Sequence, residues 1–468
     1  MRRFVRLLIA AVWAAGCFCF FQWCYPYHFF YKEQNLLFLW STDYVSGYLP
    51  QSGWLANLTG DFLTQFYYYL FAGATILTIV LLLLVWVTNG ALRTMGVRRW
   101  WAFGVALLLA TLEAVFHLRY DFPLSATIAM TGCWAMAWMA SRWPTPLWRK
   151  PFPQLTGTLR VLVAVPMAYW LFGIPDIGKL SMPNWYLEKQ LCVDNEYYFG
   201  NWDKVVSLVE QDEERTPEML FFYNLVMAQR GQLPDVLLKY RPNTLGTFYQ
   251  IGPETPMLTI KNMNELYWAL GDMTFTERAA MMANVFSPDN RNSRMIRRLA
   301  ECAIVSGDTL AARKFLSLLR QTFVWHQWAE NAPRAVYYAE KAKFNNRQDT
   351  ITTSDNAHFI MMQLLDSNPD NEVALDYILC STLLLKDIGN FKRDYDRYCS
   401  ERPRLRKLYQ EALCIWLAGS NASEEEWRHY VKQNDVMQRF IQYNQHRGST
   451  EYSDTYWYYF DQVKAPEI

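Results

Sequence analysis

The sequence predicts an all-α protein in two parts: a bundle of about five transmembrane helices over residues 1–178, then a chain of paired extramembrane helices over 179–468. Three observations predict it. Long apolar stretches crowd the first 176 residues, and basic residues gather in alternate connections between them. Beyond about residue 185, apolar residues recur at the spacing of one helix face, with glycine-bearing turns between the segments.

A bilayer core demands about 20 residues of apolar helix. Stretches of that kind lie near 7–25, 66–87, 100–118, 122–141 and 160–176. The second, FYYYLFAGATILTIVLLLLVWV, is uncharged and enters through Phe66, Tyr67, Tyr68 and Tyr69, as an aromatic interface belt does. The fifth is short and holds Pro166, so a kinked or partly inserted segment is the alternative there.

Orientation follows from the basic residues, which collect in cytoplasmic connections. Arg2, Arg3 and Arg6 precede the first span; Arg93, Arg98 and Arg99 follow the second; Arg142, Arg149, Lys150 and Arg160 lie between the fourth and fifth. The opposite connections hold only Lys32 and Arg119. The N-terminus is therefore expected inside and, after an odd number of crossings, residues 179–468 outside, which is the periplasm for an inner-membrane protein of a Gram-negative bacterium. The start, MRRFVRLLIAAVWAAGC, resembles a lipoprotein signal. Its cysteine is followed by the apolar FCFFQWCYPYHFFY rather than by a polar segment, so an uncleaved anchor is the expectation.

Composition excludes several functions. Formal net charge is +1 and no long lysine and arginine run occurs, so no nucleic-acid partner is expected. The nine cysteines show no CxxC and no His/Cys cluster at ligand spacing, so neither a metal nor another cofactor is expected. They read as small buried hydrophobes, with a Cys380–Cys399 or Cys399–Cys414 disulfide as the alternative. No Gly-rich phosphate loop, GxSxG, HExxH or EF-hand pattern appears.

In the second part, YYFGNWDKVVSLVEQ, MAQRGQLPDVLLKY, WALGDMTFTERAAMM, IVSGDTLAARKFLSLL and KDIGNFKRDYDRYC each read as a helix end, a tight turn at Gly200, Gly231, Gly271, Gly307 or Gly389, and an amphipathic second helix. Val236 and Ala312 stand five residues after their glycines, and Pro217 and Pro288 stand seventeen after Gly200 and Gly271. In these residues the segment 185–446 resembles the tetratricopeptide (TPR) family, whose repeat period is 34 residues. The resemblance implies a TPR-like α-solenoid; an irregular helical bundle is the alternative. Pro369 is expected to open a further helix, Ser423 and Glu426 to form a capping box, and the aromatic run Tyr456–Phe460 to pack back onto the last helices. The whole chain resembles uncharacterised multi-pass bacterial inner-membrane proteins with C-terminal helical repeats, a resemblance that brings no activity with it.

The chemistry-bearing candidates are few. Glu113 and His117 stand one helical turn apart in the outward half of the third span, where ionisable groups are costly and mark functional candidates. Asp43 and Asp61 lie in the long first outward loop. An acidic outward loop on a bundle is similar in layout to multi-span membrane glycosyltransferases. The structural alternative pairs Glu113 with His117 or Arg119 at the interface. Three functions follow from these features: a membrane-anchored periplasmic scaffold binding a protein or peptide partner, an envelope glycosyl- or lipid-group transferase using Asp43, Asp61 and Glu113, and a transport-complex subunit relaying protons through Glu113 and His117.

Overall fold

The computed structural model describes residues 2–142, 153–240, 255–343, 354, 356–400 and 405–465. Among them every regular element is helical and there is no strand. Arg149 and Lys150, which helped to orient the spans, lie outside the described residues.

The chain begins with α1 (Arg2–Cys19), α2 (Tyr27–Gln34), α3 (Thr42–Ser46) and α4 (Trp54–Thr64). Four longer helices follow: α5 (Ala72–Thr94), α6 (Arg99–Phe116), α7 (Leu124–Arg142) and α8 (Pro153–Phe172). Leu77, Leu81 and Leu84 of α5 and Ala106 and Ala110 of α6 are fully buried at the centre of this bundle. Small residues allow close approach, as is usual where helices pack without a hydrophobic drive between them. A Cβ on Gly60 of α4 would sit 2.6 Å from Ser125 of α7, and one on Gly132 of α7 would sit 2.2 Å from the Phe172 ring of α8.

Among the described residues, three segments are long and apolar enough to cross a membrane: Phe4–Cys24, Ala72–Thr94 and Arg99–Phe116. This corrects the expectation of five. The expected fourth span does form a helix, α7, but Ser125, Thr127, Thr131 and Ser141 lower its hydropathy, and Thr127 and Thr131 turn inward. The expected fifth contributes only Val163–Phe172 as a described apolar helix.

The contacts divide the chain into two compact units that interleave along the sequence. Unit 1 comprises Met1–Leu191 together with Asn284–Ala300 and Leu310–Arg334. Unit 2 comprises Cys192–Ala283, Glu301–Thr309 and Ala335–Ile468.

Helical pairs dominate the polar half. Gly200, Gly231, Gly271 and Gly307 all take left-handed backbone at the turns between helices, with φ of 78°, 66°, 80° and 76°. Only glycine enters that region without a Cβ penalty. Gly389 departs from the expectation, because it lies inside the helix Ile388–Cys399 while Lys386, at φ 60°, makes the turn. Asp387 then caps that helix, accepting from the Asn390 amide. Pro217 opens the helix Pro217–Gln229 as expected, whereas Pro288 opens only a short 3-10 turn, Pro288–Asn290. Pro369 precedes the Asn371 cap of Glu372–Leu384, and Ser423 and Glu426 form the expected capping box.

Unit 2 is held by a large core in which Phe222, Leu225, Leu266, Tyr377, Leu383 and Tyr409 are fully buried or nearly so. Tyr456, Trp457 and Tyr459 of the terminal aromatic run pack inward. Tyr456 donates to Leu383 O (2.8 Å), Tyr459 to Leu384 O (2.7 Å) and the Trp457 indole to Glu411 O (2.8 Å). No disulfide forms among the cysteines, Cys380–Cys399 and Cys399–Cys414 included; Cys302, Cys380, Cys399 and Cys414 are buried, but Cys19 and Cys24 are exposed, contrary to the reading of all nine as buried hydrophobes.

Candidate functional site

Unit 1 carries a buried polar cluster at the end of the bundle where α6 turns into α7. The turn spans His117 to Pro123, so residues equally far from its centre face each other. Glu113 and Thr127 are such a pair. The Thr127 hydroxyl donates to Glu113 Oε2 at 2.7 Å, and His117 Nε2 lies 2.9 Å from the same hydroxyl. All three side chains are buried. A threonine hydroxyl has one proton. When it goes to the Glu113 carboxylate, His117 must donate through Nε2, which leaves Nδ1 with a lone pair. Nδ1 of His117 and Oε1 of Glu113 are both buried and without a hydrogen-bond partner.

Helix α2 closes over this cluster. Tyr25 donates to Leu118 O at 3.0 Å, and the rings of Tyr31 and Tyr120 meet edge to face at 5.6 Å. His28 and Lys32 share a face of α2 at i, i+4 spacing. Neither ring nitrogen of His28 nor the Lys32 ammonium has a hydrogen-bond partner, and all three atoms are buried. Burial pushes the Lys32 ammonium down to about 7, and Asp121 nearby opposes that shift. Burial, with Lys32 and His117 adding repulsion, holds His28 well below its ordinary value, so its imidazole is neutral. On the other flank of α2, Tyr27 N donates to Glu188 Oε1 at 2.6 Å, and burial raises that carboxyl to about 8.

The remaining predicted site residues have other partners. Asp61 accepts from the Tyr48 hydroxyl at 2.6 Å, Tyr48 lies 3.0 Å from the Tyr44 hydroxyl, and Arg291 Nη1 donates to Tyr44 at 3.1 Å. Asp43 is exposed on α3. Arg119, proposed as a partner of Glu113, instead forks onto Asp121 at 2.5 and 2.9 Å. Among the described residues no three His, Cys, Asp or Glu side chains come together as metal ligands.

A second feature of unit 1 was not foreseen. The segment 291–294 is bonded to the end of α2 through buried side chains. Asn292 Nδ2 donates to Asn35 Oδ1 (2.9 Å), Ser293 Oγ to Glu33 Oε1 (3.0 Å) and Arg294 Nη1 to Gln34 Oε1 (3.0 Å). Trp40 N donates to Gln321 O at 2.7 Å, and the Trp40, Phe62 and Phe66 rings contact the half-exposed Phe323. Arg297 lies 4.9 Å over both Trp325 and Trp328.

A family profile matches residues 2–177 and 175–462, nearly the whole chain. The chain belongs to a family of unknown function (DUF6057). No curated protein and no solved structure matches it. Membership agrees with the resemblance to an uncharacterised family, while the membrane and repeat features of this member rest on its own residues.

Proposed function

We propose that this protein is a bacterial inner-membrane scaffold whose helical half, a TPR-like solenoid in the periplasm, binds a protein or peptide partner. The observation that carries this reading is the succession of helical pairs in unit 2, whose turns at Gly200, Gly231, Gly271 and Gly307 all take left-handed backbone. Helical pairs expose extended surfaces suited to peptides and helices, and Val336, Tyr337, Phe359 and Ile441 are exposed apolar residues of unit 2 available for such contacts.

Photo-crosslinking residues placed at Tyr337, Phe359 and Ile441 in living cells test this. We expect a discrete polypeptide adduct at one or more of these sites. Absence of any adduct at normal membrane levels would overturn the scaffold reading.

The hydrogen-bonded series Glu113–Thr127–His117 favours a second reading, a proton-relaying subunit of a transport complex. A proton on Glu113 Oε2 can pass to Thr127 while the threonine's own proton passes to the Nε2 lone pair of a His117 protonated on Nδ1, which leaves Glu113 as carboxylate and His117 as imidazolium. The transferase reading has less support, because Asp43, Asp61 and Glu113 have separate surroundings.

A further inference from the structure

Helices α7 and α8 enclose a groove of about 520 Å³, within the roughly 300–1,000 Å³ range of small-molecule sites. Among the described residues its lining is apolar apart from Arg142: Met136, Trp138 and Met139 of α7 and Ala164 and Met167 of α8 form the walls, and Arg142 stands at the end of α7. Arg142 is exposed and its guanidinium lies 4.6 Å over the Trp138 ring. Thr94 and Ser141, 2.7 Å apart, join the end of α5 to the end of α7, which brings the exposed Arg93 to the same level as Arg142.

An apolar slot that ends at cations matches one kind of molecule in its chemistry, an acyl chain carrying an anionic headgroup. Basic pockets between membrane helices on the cytoplasmic side take anionic lipid headgroups. Arg142 and Arg93 are among the basic residues that place this end of the bundle inside. We propose that the α7–α8 groove binds one anionic phospholipid, an acyl chain lying along Met136, Met139, Ala164 and Met167 and the phosphate held by Arg142 with Arg93. The proposal rests on the reading of α5 to α8 as bilayer-embedded. Methionine suits the wall, since its flexible thioether adapts to a mobile chain.

The full-length protein would be extracted with mild detergent, reconstituted in nanodiscs of phosphatidylethanolamine with one-fifth phosphatidylglycerol, and its retained lipids counted by native mass spectrometry. We expect one phosphatidylglycerol retained in preference to phosphatidylethanolamine. Arg142→Gln, at an exposed position, should lower that preference about five-fold, the equivalent of one basic residue near a charged surface. Ala164→Trp fills the slot and should abolish retention. Val165→Trp, placing the same indole at an exposed position on α8, should leave retention unchanged and controls for added bulk. Equal retention of the two lipids by the wild type, or an unchanged preference in Arg142→Gln, would overturn the proposal. Release of the protein from membranes by alkaline carbonate without detergent would instead overturn the bilayer reading on which it rests.

Discussion

Glu113 shows what a single ionisable residue in an apolar helix demands of its surroundings. Its carboxylate is fully buried and accepts from Thr127, which also meets His117. Glu113→Gln keeps an acceptor oxygen for the Thr127 hydroxyl, so the melting temperature of the detergent-purified protein should change little. Glu113→Leu and Thr127→Val each strand buried polar partners and should cost about 1–3 kcal/mol. Equal loss of function in Glu113→Gln and Glu113→Leu at normal membrane levels would favour the proton relay instead. The i, i+4 spacing of Glu113 and His117 was legible in the sequence. Their bridging partner was not, although Thr127 mirrors Glu113 about the turn at residue 120, and that symmetry would have found it. Lys32 and His28 escaped notice because α2 is short and nothing in the sequence says which side of a loop helix is covered.

The same physics gives a pH test at Glu411 in unit 2. Burial raises its carboxyl to about 7 from an ordinary 4.5, while the Tyr456 amide, donating at 2.7 Å, holds it back. The folded protein thus keeps a proton that the unfolded chain releases from about pH 4.5 upward. The corresponding stability is fully present below that pH, declines as pH rises and is gone above about 7. The loss is at most about 3 kcal/mol, at 1.36 kcal/mol per unit. Glu411→Gln removes the titration, so melting curves between pH 5 and 8 should show a smaller fall for the variant than for the wild type. An identical pH dependence would show that Glu411 does not titrate in this window.

At the scale of an element, the turns separate what a sequence pattern states from what it leaves open. Four glycines followed by amphipathic runs were read as turns, and all four have positive φ. The fifth was misplaced by three residues, because Asp387 caps the helix and draws Gly389 inside it, leaving Lys386 in the left-handed position. A glycine marks a turn only when no better cap lies just before it. The contrast predicts opposite responses. At Gly307 a Cβ would meet nothing within 4 Å, so the cost of Gly307→Ala is conformational alone, about 1–2 kcal/mol. At Gly389 the nearest atom would be Asp387 Oδ1, at an ordinary 3.7 Å, and the backbone is helical, so Gly389→Ala should stabilise by about 0.5–1 kcal/mol. Thermal melting of the two full-length variants checks both signs, and destabilisation by Gly389→Ala would return that glycine to the turn.

For the whole molecule, apolar stretches marked α7 as a span, yet its mean hydropathy falls short because Thr127 and Thr131 serve the bundle interior. A helix buried among other helices has no need to be apolar all round, and a threshold on mean hydropathy cannot distinguish it from a soluble one. The interleaving of Asn284–Ala300 and Leu310–Arg334 with Met1–Leu191 was not legible either, since the bonds of Arg294, Ser293 and Asn292 to α2 and its end join residues over 250 positions apart. Parity nevertheless survives the correction. Under the proposed orientation, five crossings and three crossings both carry the chain to the side opposite its N-terminus, with Arg93, Arg98 and Arg99 in a connection expected inside. Only an even number, in which α7 crosses and α8 does not, would return residues 179–468 to the cytoplasm. A reporter enzyme that is active only after export, fused behind Ile468, should therefore be active, while the same enzyme inserted after Met95 should be silent. Activity after Met95 together with silence after Ile468 would invert the orientation, and silence at both sites would mean that α7 crosses the membrane and α8 turns back.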